Sequence, residues 1–530
     1  MKTVNKIAFT EIDTIPQLVK DFLNQTIEGF EESTFSIENF AKQIQHKKST
    51  FEDSQREILS EELSRQLSHL TLSVKQKENI ELIKSAETFT ITTGHQLNLF
   101  SGPVFFVYKI LQTIKTCFYL KDHFPEQNFV PVYWMATEDH DFAEINHFKT
   151  EQNYFEFNEK SGGAVGRIKV SDTTFISYFE KEFKDSVFGT ELILMLKESY
   201  QPGNTLTQAI QLFVNRLFSE YGLLILDGDS VALKRQMISI FKDDLLNHQL
   251  QNLSQDKVEL LTAKYGKVQV NPRDINLFYL SENRNRNRIE AMGENFHIVD
   301  TDQVFTQEEI LSELENHTEK FSPNALMRPV YQEKVMPNLA YIGGNAEIMY
   351  WLELKDYFQY LSLSFPILIP RNSMLFLKEK TLGKIEKLSL KLEDFFTNFT
   401  TITNAKILDQ SVVLEAIQKQ ENQLVNNFSE LKSLAENTEK SFGNMVSAEE
   451  VRQLRSFNRL RKRLLKAEKV KQSELLERLE MLFLEVHPAK TWQERIFNFS
   501  VFFSDNGYSW LDACLEEMDV AESKLIIIAI

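Results

Sequence analysis

Along the first 85 residues apolar side chains recur at helical spacing, as at Phe51, Ile58, Leu63, Leu67 and Leu70, within an otherwise charged stretch. That period predicts a helical lead-in, and it carries no legible catalytic pattern. The pattern changes at residues 87–93 (ETFTITT), a short β-rich run that passes through GHQLNLFSGP into the long apolar helix pattern VFFVYKILQTIKTCFYL. Pro103 suits the first turn of that helix, where its missing N–H costs nothing, and Ser101 is placed to cap it. A second apolar run, residues 129–136, breaks off at Thr137, Glu138, Asp139, His140 and Asp141, which is β-α-β spacing. Residues 222–226 and 365–369 repeat the sign, each an apolar run closed by polar residues. Nearly continuous apolar strands separated by helical segments predict a parallel sheet covered on both faces, with ligands beyond the carboxyl ends of its strands. The fold class is therefore α/β, with a Rossmann-like core.

Beyond residue 378 the helical period returns. Ile385, Leu388, Leu392, Phe395 and Phe399 recur at spacings of three and four, and Leu414, Ile417, Leu424, Phe428 and Leu431 do so again. These heptad seams predict two or three long helices folded into an antiparallel coiled coil over residues 380–485. Their apolar stripes exceed what a single hairpin covers, so a homodimer through the coiled coil is expected. Arg455, Arg459, Arg461, Lys462, Arg463, Lys466 and Lys469 make one arm basic, which reads as a solvated face balancing an acidic helix or as a nucleotide- or partner-binding face. Residues 525–530 (LIIIAI) read as a strand able to pair with the main sheet. The expected division is a helical lead-in over 1–85, the core with connecting insertions over 86–379, the coiled coil over 380–485, and a segment over 486–530 that returns to the core.

Length and composition narrow the function classes. A chain of 530 residues with 42% hydrophobic residues, 42 of them Phe, exceeds one ordinary core and excludes a small binding module or extensive disorder. The 76 acidic against 59 basic residues give a net charge of −17, which opposes nonspecific binding to nucleic acid or to an anionic membrane, so neither is an expected partner. Only Cys117 and Cys514 are present, without a CxxC or a Cys/His cluster, so a disulfide framework and a structural zinc site are both excluded. The start lacks a signal-peptide core, and no run approaches the roughly 18 apolar residues of a membrane span, so a cytoplasmic protein is expected.

Candidate chemistry gathers where strands end. In GHQLNLFSGP, Gly94 lets the backbone leave its strand, His95 and Gln96 offer side-chain donors, and Gly102 with Pro103 opens a helix whose first amides can hold a phosphate or carboxylate. Glu138, Asp139, His140 and Asp141, with Glu144 and His147 close behind, place several titratable groups in one turn. Such a cluster can deprotonate an amine or hold a divalent metal, and it reads equally as an acidic cap for the next helix, the better reading for Asp141 and Glu144. In ALMRPVYQ and AYIGGNAEIMY, Arg328 is suited to bidentate recognition of an anion, and Gly343 and Gly344 permit a tight turn. Arg371 and the Arg284, Arg286, Arg288 series have the same two readings, structural or ligand-binding.

Together, the segments TTGHQLNLFSGPVFFVYKI, PVYWMATEDHDFAEINH, INLFYLSENRNRNRIE, LMRPVYQEKVMPNLAYIGGNAEIMYWLELKDYF and PRNSMLFL, followed by a coiled coil, resemble the BshC family, from about residue 87 to the C-terminus. Leu97, Asn98 and Asn345 depart from the commoner loop residues of that family. The resemblance implies a class I nucleotidylyl-transferase-like Rossmann core with insertions, a coiled coil that forms a dimer, and the step of bacillithiol biosynthesis that joins cysteine to glucosaminyl malate. It carries over His95 and Gln96 from the GHQ motif, Glu138, Asp139, His140 and Asp141 from the acidic motif, and Gly343, Gly344 and Glu347 from the glycine turn. On fold analogy alone ATP is the simplest activator of the carboxyl, and no metal is expected. Two alternatives remain open at this point. One is a metal-dependent hydrolase or nucleotidyl transferase using Asp139, His140 and His147, and the other is a non-catalytic coiled-coil scaffold.

Overall fold

The chain opens on a strand, β1 (Lys2–Ala8), before any helix. A computed structural model describes residues 1–160, 162–266, 270–281, 285–409 and 411–530. In β1 only Ile7 is buried, so the segment has too little apolar alternation to be read as a strand from sequence. Helices follow over Gln17–Leu23, Ile37–Thr50, Asp53–Gln66 and Val74–Leu82. Arg56, fully buried, ties the third of them to the sheet by donating to the carbonyls of Ile83 at 3.2 Å and Thr88 at 2.8 Å.

The central sheet comprises β2 (Thr88–His95), joined by helix α1 (Phe105–His123) to β3 (Asn128–Met135), then β4 (Leu224–Asp227), β5 (Asn338–Gly343) and, beyond helix α2 (Asn345–Trp351), β6 (Ile367–Pro370). Its strand order is β6-β5-β2-β3-β4, and every pairing is parallel. The threonines of β2 would face solvent in a half-exposed strand, yet all are buried. The hydroxyls of Thr90 and Thr92 donate to the Asn338 side-chain oxygen at 3.2 and 2.8 Å, and that of Thr93 donates to the Ile342 carbonyl at 2.8 Å. Each buried hydroxyl therefore has a partner and also pins β2 against β5.

Two further sheets escape the sequence pattern. Residues 277–323 contribute a five-stranded sheet, its pairings antiparallel, built from Leu277–Leu280, Arg286–Met292, Asn295–Ile298, Val304–Thr306 and Phe321–Pro323. Its strands are short and one of them, RNRIEAM, has a single buried residue, so no hydrophobic period announces it. The closing strand β8 (Lys524–Ala529) lies between β1 and β7 (Ser373–Leu377) in a separate three-stranded sheet rather than in the parallel one. Its antiparallel partner is the strand at the opposite end of the chain, a pairing that sequence separation conceals.

The chain divides into two compact units, Met1–Glu11 with Ile15–Phe376 and Trp492–Ile530, and Ile12–Thr14 with Leu377–Thr491. In the second, helices α3 (Val412–Ala435) and α4 (Lys440–Lys471) form an antiparallel hairpin. Ion pairs Glu421–Arg461 and Lys432–Glu450 fix its register, and Phe428, Ala435 and Val446 pack between the helices. The earlier seam is not continuous. Its helix stops at Lys387, Ser389 takes a φ of 51°, and a 3-10 turn over Leu392–Phe396 precedes the next helix at Phe399. Apolar residues at heptad spacing there pack around a corner rather than along one axis. Among the described residues no helix is long and apolar enough to cross a membrane.

One buried acid gives a pH test of the core. Glu353, after α2, is fully buried with neither carboxylate oxygen partnered, and burial pushes its pKa up to about 8. Raised above the unfolded value, this pKa favours the fold fully in acid, and the contribution is lost as pH climbs from about 4.5 to 8, at up to about 1.4 kcal/mol per pH unit. Glu353→Gln is expected to flatten thermal stability across that window and to raise it at pH 8.5, as calorimetry at stepped pH would read.

Candidate functional site

The carboxyl ends of the parallel strands open onto one cavity of about 950 Å3. Residues at or just after each strand end line it: Gln96 beyond β2, Asp139 beyond β3, Gly228 beyond β4, Gly344 beyond β5 and Arg371 beyond β6. Gly94, His95, Glu138, His140, Arg328 and Glu347 line it as well, whereas Gly102, Asp141 and Gly343 do not. Of the arginine series, Arg286 reaches the cavity, Arg288 pairs with Glu290 at 3.1 Å outside it, and Arg284 lies outside the described residues.

In the GHQ segment the glycine serves close approach. Gly94 stays within β2, and a Cβ there would stand 2.9 Å from the Tyr341 hydroxyl and 3.3 Å from Arg328 Nη1. The sharp departure comes later, where Phe100, Ser101 and Gly102 take φ of 44°, 72° and 60° in succession. Asn498 holds that turn by donating to the carbonyls of Phe100 at 2.6 Å and Gly102 at 2.8 Å. The Val104 N–H donates to the Phe497 carbonyl at 2.8 Å, so the start of α1 does not offer this amide to an anion. What α1 presents is its side chains. Lys109, buried, donates to the Gly94 carbonyl at 2.7 Å and pairs with Glu347.

Glu347 sits at the third position of α2, where it also accepts from the Gly344 N–H at 2.8 Å and the Tyr341 hydroxyl at 2.5 Å. Burial alone would raise its pKa, but the Lys109 charge and these donors outweigh burial and hold it below the usual carboxylate value. His95 stacks on Phe106 with centroids 4.9 Å apart, and its Nε2 is buried without a partner. Burial, reinforced by the Lys109 charge, pushes its pKa down to about 3, so the imidazole is neutral at physiological pH. It can give or take one hydrogen bond there but supplies no charge.

The acidic turn divides its labour. Glu138 points inward to buried Lys234 at 2.5 Å, and burial, opposed by that ammonium, raises its pKa. Lys234 also stands 3.5 Å from Asp229, which Arg167 grips with two bonds of 2.7 and 2.8 Å. Asp141 accepts from the Glu144 N–H at 3.2 Å and caps the short helix Phe142–Ile145. Asp139 is left facing the cavity, accepting from Gln96 Nε2 at 2.8 Å and from the His140 N–H at 2.7 Å. His140 Nδ1 lies 3.1 Å from Arg286 Nη1. A guanidinium only donates, so Nδ1 accepts and the neutral ring carries its proton on Nε2. His147 stands apart from the cavity, against Asn146 at 3.2 Å and stacked on Tyr154, so the Asp139, His140 and His147 set required by the metal reading is not brought together. Among the described residues no group of three or more His, Cys, Asp or Glu is placed to hold a metal ion.

Arg371 is engaged rather than free. Its Nη1 and Nη2 bind buried Glu494 at 3.0 and 2.6 Å, and its Nε stays unpartnered. Lys109, Lys234, Glu494 and Arg495 were not legible as site residues. Lys109 hides in an apolar helix pattern, Lys234 follows a strand by several residues, and the last two enter from a C-terminal segment with no motif of its own. The one available signal was the charge of Lys109 inside an otherwise apolar face.

The site also bears on the nucleotide expectation. Gly344 N–H is committed to Glu347 and Val104 N–H to Phe497, so these two amides are not offered to a phosphate.

Comparison with known proteins gives two family matches. Residues 2–372 match "Bacillithiol biosynthesis BshC, N-terminal Rossmann-like domain", and residues 374–530 match "Bacillithiol biosynthesis BshC, C-terminal coiled-coil domain". A protein of Flavobacterium johnsoniae is 41% identical over 517 residues, covering 97% of each chain. One of Flavobacterium psychrophilum is 40% identical over 527 residues and 98% of each chain, and one of Cytophaga hutchinsonii is 32% identical over 519 residues and 97% of each. All three carry the name "Putative cysteine ligase BshC".

Proposed function

This chain belongs to the BshC family of bacillithiol biosynthesis, and on that premise we propose that it is a ligase joining the carboxyl of cysteine to the amino group of glucosaminyl malate. The observation that carries the reaction is identity of 41% running over 97% of both chains to a protein named "Putative cysteine ligase BshC". The cavity supplies what the reaction needs from side chains. Amide formation from a free carboxylate is uphill in water, so the carboxyl must arrive activated. The attacking amine must also lose protons as the carbon–nitrogen bond forms. Asp139, aimed into the cavity and bonded by Gln96, is the base in this reading. His140 donates through Nε2, its orientation set by Arg286, and neutral His95 contributes one hydrogen bond from the end of β2. Loss of the gene followed by return of the intact chain tests it: bacillithiol is expected to vanish and then recover, and thiol levels unchanged by the deletion would overturn the reading.

The chain is further proposed to act in the cytoplasm as a homodimer paired through the helical hairpin. Val412, Leu434 and Val470 on α3 and α4 are 76%, 67% and 74% exposed, and α4 buries only Val446 along its length. Apolar side chains left exposed on helices this uncovered favour a second copy. Sedimentation equilibrium is expected to return twice the chain mass at micromolar concentration, and Leu434→Lys to shift it toward monomer. A monomer at all concentrations would leave the hairpin as an intramolecular arm.

A further inference from the structure

One end of the cavity holds more positive charge than its own side chains neutralise. Around the ring of Phe105 stand Arg371, with its guanidinium carbon 4.9 Å from the ring centroid, Arg495 at 5.7 Å, and the ring of His95 at 5.3 Å. Lys109 is balanced by Glu347 and Arg371 by Glu494. Arg328 reaches Gln332 at 2.9 Å, the Tyr350 hydroxyl at 3.5 Å and the faces of Tyr341 and Trp351, none of them a carboxylate. Among the described residues neither Arg328 nor Arg495 has a carboxylate partner, so two cations stand in excess. Both line the cavity together with Glu347. Two polar atoms at the same end also lack partners: Nε of Arg371, a side chain only 5% exposed, and the buried Nε2 of His95. A buried donor left unmade costs more than a made hydrogen bond returns, so such orphans mark a place where a ligand completes the set.

We propose that this end seats a dicarboxylate, the malyl group of the acceptor, with one carboxylate on Arg495 and Arg371 Nε and the other on Arg328. The assignment rests on the ligase reading and deepens it by orienting the acceptor: the malyl end lies against Phe105, and the sugar amine extends toward Asp139. Two excess cations match the two charges of malate. Guanidinium forks suit the planar carboxylate, and the Phe105 ring suits the methylene between the two carboxylates. A phosphate chain would call for backbone amides, and those of Gly344 and Val104 are already taken.

The test titrates the full-length protein with L-malate, by calorimetry, in parent and Arg495→Gln. Arg495 is exposed and makes no ion pair, so its substitution leaves the fold intact, as circular dichroism would verify. Malate affinity is expected to fall about ten- to a hundredfold in the variant, the loss of one charged fork, while L-cysteine binding is unchanged. Arg495→Lys, which keeps charge without the fork, is expected to fall between the two. Tripolyphosphate serves as the second probe. If its binding depends on Arg495 and that of malate does not, the seat is for phosphate and the assignment is overturned. Equal malate affinity in parent and variant, or no malate binding to the parent at millimolar concentration, overturns it too, and leaves the ligase reading to stand on thiol production. Arg495-dependent malate binding in a chain whose deletion leaves bacillithiol intact would instead keep the dicarboxylate seat and remove the ligase reading.

Discussion

Supplied at normal abundance to a strain lacking the native copy, Asp139→Asn protein is expected to leave glucosaminyl malate accumulated and bacillithiol reduced by two orders of magnitude or more in rate of synthesis. The size separates two readings of the acidic turn. Removing a general base costs about a hundred- to ten-thousandfold in rate, whereas removing a helix cap costs about 1 kcal/mol of stability and leaves chemistry alone. Asp139 accepts from Gln96 and from the His140 N–H and faces the cavity, while the cap is Asp141. Asp141→Asn therefore serves as the matched control, with near-parental thiol levels. His140→Ala is expected to lose less than Asp139→Asn, because in this reading Asp139 is the base and the ring only orients the substrate. Normal bacillithiol in both the Asp139 and His140 variants would return the turn to a structural role.

The largest loss of stability is expected from Glu494→Ala. That carboxylate, 2% exposed, receives both Arg371 terminal nitrogens and the Ser373 hydroxyl at 3.0 Å. Truncating it strands a buried guanidinium, which costs about 3–5 kcal/mol, far beyond a surface pair. Denaturant melts should show the midpoint falling with little change in slope. The double variant Arg371→Met/Glu494→Leu separates charge from packing: removing both charges is expected to cost less than removing one. A double variant no more stable than the single would show that the bonds to Ser373 and the backbone, rather than the unpaired charge, carry the effect.

Much of this molecule is legible in the order of its residues. The apolar runs of β3, β4 and β6 announce a parallel sheet because strands covered on both faces admit no polar alternation. Polar residues closing each run mark the strand ends where the cavity opens, so His95, Gln96, Asp139 and His140 could be named from position, whereas Glu347 came only with the family resemblance. The long helices α3 and α4 follow from heptad spacing, a local signal that needs no partner to be read. The antiparallel sheet over residues 277–323 could not be read, since strands of three to seven residues with few buried positions leave no period.

Tertiary structure alone decided the charge state and pairing of the site. Which of four adjacent acidic-turn residues faces the cavity depends on Lys234 taking Glu138 and the Glu144 amide taking Asp141. Whether Arg371 is free or bound depends on Glu494, a residue 123 positions away. His95 is neutral because Phe106 and Lys109 bury it and repel a proton, neither of which its own motif encodes. Sequence by itself determined the apolar strands β3, β4 and β6, the helical hairpin and the loops that carry reactive groups, because these follow from spacing of a few residues. The wall that completes the cavity, Arg495 beside Arg371 over Phe105, comes from chain segments brought together only by folding, since burial and Coulomb interactions depend on distance in space and not along the chain.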